Sequence, residues 1–503
     1  MRALTLAEIA EVVGGQLHLA DPLLVVRGSV ALDSRDVVPG GLFAAFDGAQ
    51  VDGHRFAAAA VGAGATAVLA SRPVPAPAVL VPDVRAALAR LAHHQLAGSR
   101  TPAGRDPLVV GITGSFGKTT TKDLLAAILE TEAPTVATAG SFNNELGLPL
   151  TVLRADEATR YLVLEMGAAR AGDLSYLTSI APPRIGAVLA VGNAHVETFV
   201  AGAGARAVDD PLSLVAEAKA ELVEALPAGS AGGVAVLNAD DPRVAAMAAR
   251  TDADVVWFGR EHGHEHGRDR GRDREHGRRT VISAVDERLM RGKPVFTLTT
   301  PDGDALVRLS LLGTHQVGNA LAAAAVAWSL GVGVDRIATA LSATGPRSDS
   351  RLAVRTRDVD RVTVVDDAYN AFPESMAAAL YATWALAADD SRRVVAVLGE
   401  MVAQGTDTAV RHRRIGALAA DLGFAALIVV DGPDSEFYDS ARPAALADAA
   451  RDGAPGMLVR RARDRDEALV LVRELIRPDD VVLVKGSHDL GLNAVAEALL
   501  GEG

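Results

Sequence analysis

The stretch Gly111-Ile112-Thr113-Gly114-Ser115-Phe116-Gly117-Lys118-Thr119-Thr120 decides the fold prediction for the chain. It follows an apolar run with the composition of a buried strand and opens a segment with helical apolar spacing. The apolar positions of that segment are Leu124, Leu125, Ile128 and Leu129. A strand, a glycine-rich turn and a helix in this order are the context of a phosphate-binding loop, in which backbone N–H groups surround phosphate oxygens.

Two residues of this loop have distinct predicted roles. Lys118 would reach the β- and γ-phosphates of a nucleotide, and Thr119 would ligate Mg²⁺. The match to the usual G-x-x-x-x-G-K-[ST] pattern is imperfect, because Gly111 lies one place before the position of the first glycine. The alternative is a glycine turn at a helix end that binds no nucleotide. The adjoining strand, lysine and threonine pair favour phosphate binding.

Strands and helices alternate along most of the chain, which predicts α/β domains with mostly parallel, doubly wound sheets. The candidate strands of a central unit are Leu108–Ile112, Tyr161–Leu164, Ile185–Val191 and Val234–Leu237. Those of a third unit are Val362–Val365, Val394–Leu398, Leu427–Val430 and Val481–Val484. The linker Thr101–Pro107 and the pair Gly345-Pro346 separate these units. We predict three domains: 1–106, 107–345 and 346–503.

The bulk composition limits the classes of function. With 503 residues the chain is too long for one ordinary core. Its net charge of −13 argues against nucleic acid as a partner. It contains no cysteine, so disulfides, thiolate metal sites and cysteine nucleophiles are excluded. The beginning of the chain does not read as a signal peptide, and no apolar run approaches the ~20 residues that a membrane span needs. We expect a cytoplasmic protein that is not inserted in a membrane.

Polar residues follow the predicted central strands, where ligands of open α/β sheets gather. Glu165 ends one strand and is placed to hold Mg²⁺; the alternative is a solvated charge. His195 follows the next strand, and a loop histidine of this kind is as often structural. Lys219 lies on the apolar stripe of a predicted helix, Leu212–Leu226. A buried ammonium is costly unless it is paired or chemically altered, and the alternative is a side chain that reaches the surface.

For each of three further polar clusters, the sequence leaves two interpretations open. Asn238-Ala239-Asp240-Asp241 either meets a nucleotide or metal or forms an Asx turn. The segment Gly313–Asn319 either binds ligand or only begins the helix Ala320–Leu330, with Asn319 as the cap. The cluster Asp366–Asn370 either binds ligand or is an ordinary turn. The segment Arg260–Arg279 has no apolar residue, and we interpret it as a disordered insertion without function.

Taken together, these segments resemble the Mur ligase family of peptidoglycan synthesis along nearly the whole chain. The strings that carry the resemblance are Asp33-Ser34-Arg35, Asp52-Gly53-His54, Thr113–Thr119, Phe142–Gly147, Leu164–Gly167, Ala218–Leu222, Asp366–Asn370, Leu398–Met401 and Val484–Ser487. The resemblance implies an N-terminal domain for a UDP-sugar, a central ATPase and a Rossmann-like C-terminal domain. It also implies an ATP-dependent ligase that joins D-alanyl-D-alanine to UDP-N-acetylmuramoyl-tripeptide through an acyl-phosphate. We expect the protein to be a monomer.

The resemblance also assigns residues. It implies catalytic roles for Lys118, Lys219 and His195. ATP contacts are implied for Gly114, Ser115, Phe116, Gly117, Lys118, Thr119, Thr120, Asn319, Asp367 and Tyr369. Two Mg²⁺ ions are implied at Thr119, Glu165, His195 and a CO₂-derived carbamate on Lys219. Substrate contacts are implied for Ser34, Arg35, Asp52, His54, Asn143, Asn144 and Asn370.

The sequence departs from the family pattern at several places. Phe372 stands in Asn370-Ala371-Phe372-Pro373, where members that add D-alanyl-D-alanine usually read N-A-N-P. His488 stands where the family commonly has arginine. The segment between His195 and Lys219 is about ten residues longer than usual and lacks the family's F-G-S string. Two alternatives therefore stay open: a related ligase that adds a different amino acid or dipeptide, and a non-catalytic ATP-binding paralogue.

Overall fold

The computed structural model describes residues 1–48, 51–97, 106–202, 210–260, 280–402, 408–433 and 438–501. Within them the chain forms sheets of nine, six and five strands and one two-stranded ribbon. Most strand pairs in the three large sheets are parallel, and helices cover the sheets. The predicted α/β class with mostly parallel sheets is therefore confirmed. Residues 261–279 of the predicted insertion and most of the linker Thr101–Pro107 lie outside the described residues, whereas Arg260 is described and pairs with Glu287.

The nine-stranded sheet carries the glycine-rich loop near its middle. In spatial order its strands are Gly303–Arg308, Lys293–Thr300, Thr280–Met290, Asp254–Gly259, Val234–Asn238, Ile185–Val188, Leu108–Thr113, Tyr161–Glu165 and Thr135–Ala137. Only the two pairings among the first three strands of this order are antiparallel. The helices of this unit are Lys118–Glu130, Gly147–Val152, Asp173–Ile180, Val196–Gly202, Pro211–Glu224, Pro242–Ala246, Gln316–Ser329 and Val334–Ala343.

The helix after the loop is held by its predicted apolar face. Leu124, Leu125, Ile128 and Leu129 are all fully buried and belong to the core on one side of the nine-stranded sheet. The helix Pro211–Glu224 packs on the other side, where Leu222 is fully buried. The two faces of the sheet are thus covered by helices, as parallel strands require.

Gly111 does not belong to the phosphate-binding loop. It lies inside the strand Leu108–Thr113, and a Cβ atom there would stand 2.9 Å from Leu222 Cδ1 and 3.1 Å from Met166 Sδ. The glycine therefore allows the helix Pro211–Glu224 to approach the strand closely. This packing explains why Gly111 is one place away from the usual loop pattern.

The six-stranded sheet forms the third unit. In spatial order its strands are Ala353–Thr356, Thr363–Asp366, Val481–Lys485, Val394–Gly399, Ala426–Val430 and Leu458–Ala462. Only the first strand is antiparallel to its neighbour. The helices are Pro373–Ala388, Thr408–Asp421, Ala441–Gly453, Arg465–Leu475 and Asn493–Leu500. Two apolar clusters fill the two faces of the sheet.

The first unit is built on the five-stranded sheet. In spatial order its strands are Gln16–His18, Ala78–Leu80, Ala67–Ala70, Leu42–Ala44 and Val30–Ala31. The strands Leu4–Thr5 and Val25–Val26 form the separate ribbon. The helices are Leu6–Val13, Ala57–Gly62 and Val84–Ala97. The last of these packs on the helix Gly147–Val152, so the first unit is joined to the central one.

Two predicted element bounds were wrong by three residues or more. The strand predicted to reach Val191 ends at Val188, because Ala190 O accepts from Ser115 N and Leu189 O accepts from Asn238 Nδ2. The helix predicted to begin after an Asn319 cap begins at Gln316. Asn319 lies inside its first turn and donates through Nδ2 to Gln316 Oε1, so it does not cap the helix.

Candidate active site

The carboxyl ends of the central strands face the third unit across a cavity of about 430 Å³. Both units contribute to its wall. From the central unit the lining includes Ser115, Phe116, Gly117, Lys118, Thr119, Thr120, Asn143, Glu165, His195, Asn238, His315 and Asn319. From the third unit it includes Arg351, Asp367, Tyr369, Asn370, Phe372, Glu374 and Lys485. The predicted ATP-binding residues are brought together here, except Gly114, which lines the adjoining cavity described below.

The glycine-rich loop has the backbone that its glycines permit. Gly114 has a φ of 156° and Gly117 a φ of 84°, values at which a side chain would be strained. A Cβ atom at Gly117 would also lie 2.4 Å from Asn319 Oδ1. Lys118 Nζ donates to Gly114 O at 2.8 Å, and burial lowers the pKa of this lysine. The loop therefore holds one cation and several backbone donors around a space for phosphate.

Glu165 lies at the end of its strand, buried beside the loop. Its Oε2 accepts from Thr119 Oγ1 at 2.8 Å, and its Oε1 accepts from Asn143 Nδ2 at 2.7 Å. A carboxylate and a hydroxyl in direct contact offer the oxygen ligands that Mg²⁺ prefers. The solvated-charge alternative for Glu165 is wrong, since the residue is only 1% exposed.

Lys219 lies on the buried side of its helix, which is one of the two interpretations that its place on the apolar stripe left open. The residue is 3% exposed, and no carboxylate in the described parts of the chain lies within ion-pair distance of its Nζ. Burial and the nearby Lys118 lower the pKa of the Lys219 amine to about 7. The alternative of a side chain that reaches the surface is therefore wrong. An unpaired buried amine of low pKa is a nucleophile near neutral pH.

His195 lies at the mouth of the cavity with an unusual backbone. Its φ is 60°, in the left-handed region that non-glycine residues rarely occupy. Its ring contacts the Phe372 ring edge to face, with 5.7 Å between the centroids. Desolvation, together with Lys118 and Lys219, lowers the pKa of His195 to about 4. The imidazole is thus neutral at pH 7 and able to act as a ligand.

A second cavity of about 330 Å³ adjoins the first. Its lining includes Gly114, Asn144, Gly167, Arg170 and Lys219. Ser115, Lys118, Asn143 and His195 line both cavities. The junction therefore lies at the lysine of the loop, where a phosphate from one cavity would meet a group held in the other.

The third unit supplies polar groups that the sequence prediction only partly identified. Lys485 Nζ is buried and pairs with Asp367 Oδ2 at 2.6 Å, and it also donates to Asn370 O. The guanidinium of Arg351 lies 3.9 Å from the Tyr369 ring centroid and donates to Thr119 Oγ1 at 3.2 Å. Arg351 was missed because it lies in a loop, where no periodic pattern marks a residue.

The clusters with two interpretations are partly resolved by their contacts. Asp240 N donates to Asn238 Oδ1, and Asp241 Oδ1 accepts from Arg243 N and Val244 N at a helix start. The Asx-turn interpretation of this segment is therefore confirmed, although Asn238 also lines the first cavity. Asp367 and Tyr369 line the same cavity, so Asp366–Asn370 is more than an ordinary turn.

The predicted residues of the first unit line neither of these two cavities. Arg35 is paired with Asp33, and its side chain is 87% exposed. His54 is buried: its Nδ1 donates to Asp52 Oδ1, and its Nε2 accepts from Ser71 N at 3.1 Å. Arg72 also pairs with Asp52. Through these hydrogen bonds and this ion pair, Asp52 and His54 have a structural role within the first unit.

The sheet, the loop and the buried carboxylate define a phosphate-binding α/β enzyme with a three-unit architecture. Sequence models of the Mur ligase family, catalytic domain, of the Mur ligase middle domain and of the Mur ligase, glutamate ligase domain match residues 28–96, 112–327 and 350–488. The chain belongs to the Mur ligase family. No helix within the described ranges is long and apolar enough to span a bilayer.

Individual relatives cover the chain from end to end. The UDP-N-acetylmuramoyl-tripeptide–D-alanyl-D-alanine ligase of Mycobacterium tuberculosis H37Rv is 44% identical and covers 100% of this chain and 98% of its own length. The Escherichia coli K12 ligase of the same name is 31% identical over 100% of both chains. A crystal structure of MurF from Acinetobacter baumannii aligns with a TM-score of 0.78 at 27% identity over 99% of each chain. MurF from Thermotoga maritima in complex with ADP aligns with a TM-score of 0.71 at 27% identity, covering 94% of this chain and 97% of its own.

Proposed function

We propose that the chain adds D-alanyl-D-alanine to the carboxylate of UDP-N-acetylmuramoyl-tripeptide in peptidoglycan precursor synthesis. The reaction converts ATP to ADP and phosphate. Full-length identity of 44% to a ligase of this name supports the substrates. The observation that carries the chemistry is the junction of two cavities at Lys118. The proposed domains are 1–106 for the UDP-sugar, 107–345 for ATP and 346–503 for closure.

ATP occupies the first cavity in this proposal. The loop residues Gly114 to Thr120 hold its phosphates, and Lys118 compensates the charge of the transferred group. Asn319, Asp367 and Tyr369 contact the adenosine part. Arg351 joins this set, because its guanidinium already bridges Tyr369 and Thr119.

Two Mg²⁺ ions belong to the same site. Thr119 and Glu165 fit one ion, because their oxygens are in contact and buried. An ammonium at Lys219 would repel a second ion, whereas a carbamate formed with CO₂ would offer oxygen ligands and remove the unpaired buried cation. His195, which lines both cavities, would be a further ligand. Magnesium, when bound, neutralises phosphate oxygens and so lets an anionic carboxylate approach.

The chain's own residues organise the transfer. Asn143, which lines both cavities, and Asn144 and Asn370 position the acceptor, whose carboxylate attacks the γ-phosphate to give an acyl-phosphate. Lys118 stays at the junction throughout the transfer. The third unit excludes water, which would otherwise hydrolyse the acyl-phosphate. Ser34, Arg35, Asp52 and His54 belong to the part of the first unit that we assign to the UDP end of the acceptor.

The amine substrate is the point at which the sequence departs from its relatives. Phe372 lines the first cavity, and the His488 ring lies 5.4 Å from that of Tyr369. A panel of amines, tested with ATP, Mg²⁺ and UDP-muramoyl-tripeptide, measures phosphate release. We expect D-alanyl-D-alanine to give the highest kcat/KM. Equal or better turnover with a single amino acid would favour the alternative ligase, and no ADP formation with any amine would favour the non-catalytic paralogue.

The cytoplasmic location and the monomeric state expected from the sequence stay predictions. Light scattering after size-exclusion chromatography measures the mass of the particle in solution, and one chain corresponds to 51.9 kDa. A particle of twice that mass would contradict the monomer prediction. Cell fractionation tests the location.

A further inference from the structure

A carboxylate in the wall of the first cavity has one buried oxygen without a partner. Glu374 lines that cavity, and its Oε2 is buried without a hydrogen-bond partner in the described structure. Its other oxygen, Oε1, accepts from Asn193 Nδ2 at 2.6 Å and from Asn193 N at 3.3 Å. The carboxylate is thus anchored on one side and has free acceptor capacity on the other, which is costly unless a ligand uses it.

The other carboxylates of this cavity are already engaged. Both oxygens of Glu165 accept hydrogen bonds from side chains. Asp367 pairs with Lys485 through one oxygen and accepts from Leu352 N through the other. Among the described carboxylates that line the cavity, Glu374 is therefore the one with an oxygen left for a cation.

The position of Glu374 is on the His195 side of the cavity. Asn193, its anchor, lies two residues before His195 in the same loop. Phe372, two residues before Glu374, places its ring against that of His195. The Glu374 carboxylate is therefore held by the central-unit loop that carries His195, a residue that lines both cavities.

We propose that Glu374 binds the ammonium group of the incoming amine substrate and positions its nitrogen for attack on the acyl-phosphate. The inference rests on the proposed function, because it takes the amine of that reaction as its ligand. An α-amino group is mostly protonated at neutral pH and is repelled by the cations Lys118, Arg351 and Lys485 on the cavity wall. A carboxylate oxygen without a partner is the complementary group.

The bonds of this step balance without a further reactant. The ammonium loses one proton to water, and the nitrogen then forms a bond to the carbonyl carbon of the acyl-phosphate. The carbon–oxygen bond to phosphate breaks, and phosphate leaves with the electron pair. A second proton passes from the nitrogen to the phosphate. Glu374 holds and orients the amine substrate. The nitrogen of the amide product carries no positive charge, so Glu374 no longer binds it.

Steady-state kinetics of Glu374→Gln test the assignment, because the amide keeps the shape and removes the charge. We expect the KM for D-alanyl-D-alanine to rise at least about tenfold. The KM values for ATP and UDP-muramoyl-tripeptide should stay within about twofold of wild type. Acyl-phosphate formation without amine, trapped as a hydroxamate by hydroxylamine, should be unchanged. Glu132→Gln, which removes a carboxylate paired with Arg336 outside the cavity, is the matched control.

Three results would overturn the inference. They are an unchanged KM for the dipeptide, a rise confined to the KM for ATP, and a loss of hydroxamate formation. Should the glutamine variant fail to fold, Glu374→Asp is the second test, because aspartate keeps the charge on a side chain that is shorter by one methylene group. A rise in the KM for the dipeptide alone then supports the inference. Wild-type enzyme that does not use D-alanyl-D-alanine would instead refute the proposed function, so the two failures are distinguishable.

Discussion

Lys219 is the single residue whose chemistry the proposed reaction needs most. It is buried, unpaired among the described carboxylates and adjacent to Lys118, so the unmodified cation opposes metal binding. We expect Lys219→Ala to lower kcat by about two to three orders of magnitude while ATP still binds. Added acetate or formate should restore part of the activity, because a free carboxylate replaces the missing oxygens. Turnover like that of wild type would remove this lysine from the mechanism.

Arg351 connects the nucleotide site with the third unit. Its guanidinium stacks on Tyr369 and donates to Thr119 and Ser141, and lysine cannot reproduce this planar geometry. We expect Arg351→Lys to raise the KM for ATP about tenfold. Arg347→Lys is the control, since Arg347 pairs with Glu130 away from the cavity lining. Equal effects of the two variants would show that the position of Arg351 has no special role.

At the scale of elements, the contact of Gly111 with the helix Pro211–Glu224 controls where Lys219 lies. We expect Gly111→Ala to destabilise the protein by about 1–3 kcal/mol, because Leu222 and Met166 must move. The activity should fall as well, since Leu222 and Lys219 share one helix. Thermal unfolding and kcat measure the two effects. Gly62→Ala is the control, because a Cβ atom there meets nothing within 4 Å, and an equal loss of stability would refute the packing argument.

The helix Thr408–Asp421 contains a buried histidine that makes the stability of the protein depend on pH. His412 is fully buried: Nε2 accepts from Met401 N and Nδ1 donates to Thr408 O. Burial lowers the pKa of His412 to about 4, below its ordinary value of 6.5. The unfolded chain therefore binds a proton first as the pH falls, and stability is lost between pH 6.5 and 4.

We expect the wild-type protein to lose about 2 kcal/mol more than His412→Gln between pH 7 and pH 5. Urea unfolding at the two pH values measures this difference. Parallel curves for the two proteins would mean that His412 does not set the pH dependence.

How far the sequence predicted these elements depended on the kind of signal. Apolar runs such as Val394–Leu398 fixed the parallel strands, because buried strands are apolar on both faces. The spacing of Lys219 placed it on the apolar stripe of its helix but left open whether the amine is buried or reaches the surface. The start of the helix Gln316–Ser329 was missed, because His315 at its N-cap makes no side-chain capping bond that a pattern would reveal. Arg351 and Glu374 act through contacts with the central unit, distant in sequence, which local patterns do not encode.

For the whole molecule, several of the contacts that join the central and third units are hydrogen bonds between polar side chains. They include Asn193 with Glu374, Thr119 with Arg351, and Asp123 with Ser348. Polar contacts of this kind are weak when water competes for them. We expect the third unit to move away without nucleotide, so the radius of gyration in small-angle scattering should decrease when ATP and Mg²⁺ are added. An identical radius in both conditions would contradict a closing motion.

The shared wall of the two cavities has a consequence for inhibition. Ser115, Lys118, Asn143 and His195 line both chambers, so the two chambers adjoin at these residues. A compound that joins an adenosine phosphate to a muramoyl-peptide mimic through a short phosphinate would occupy both chambers at once. Once one half of the compound is bound, binding of the other half is intramolecular. The affinity of the joined compound would therefore exceed that of either half alone, without any additional contact. Such a tethered molecule would report, by its tightness of binding, how closely the two chambers approach in solution.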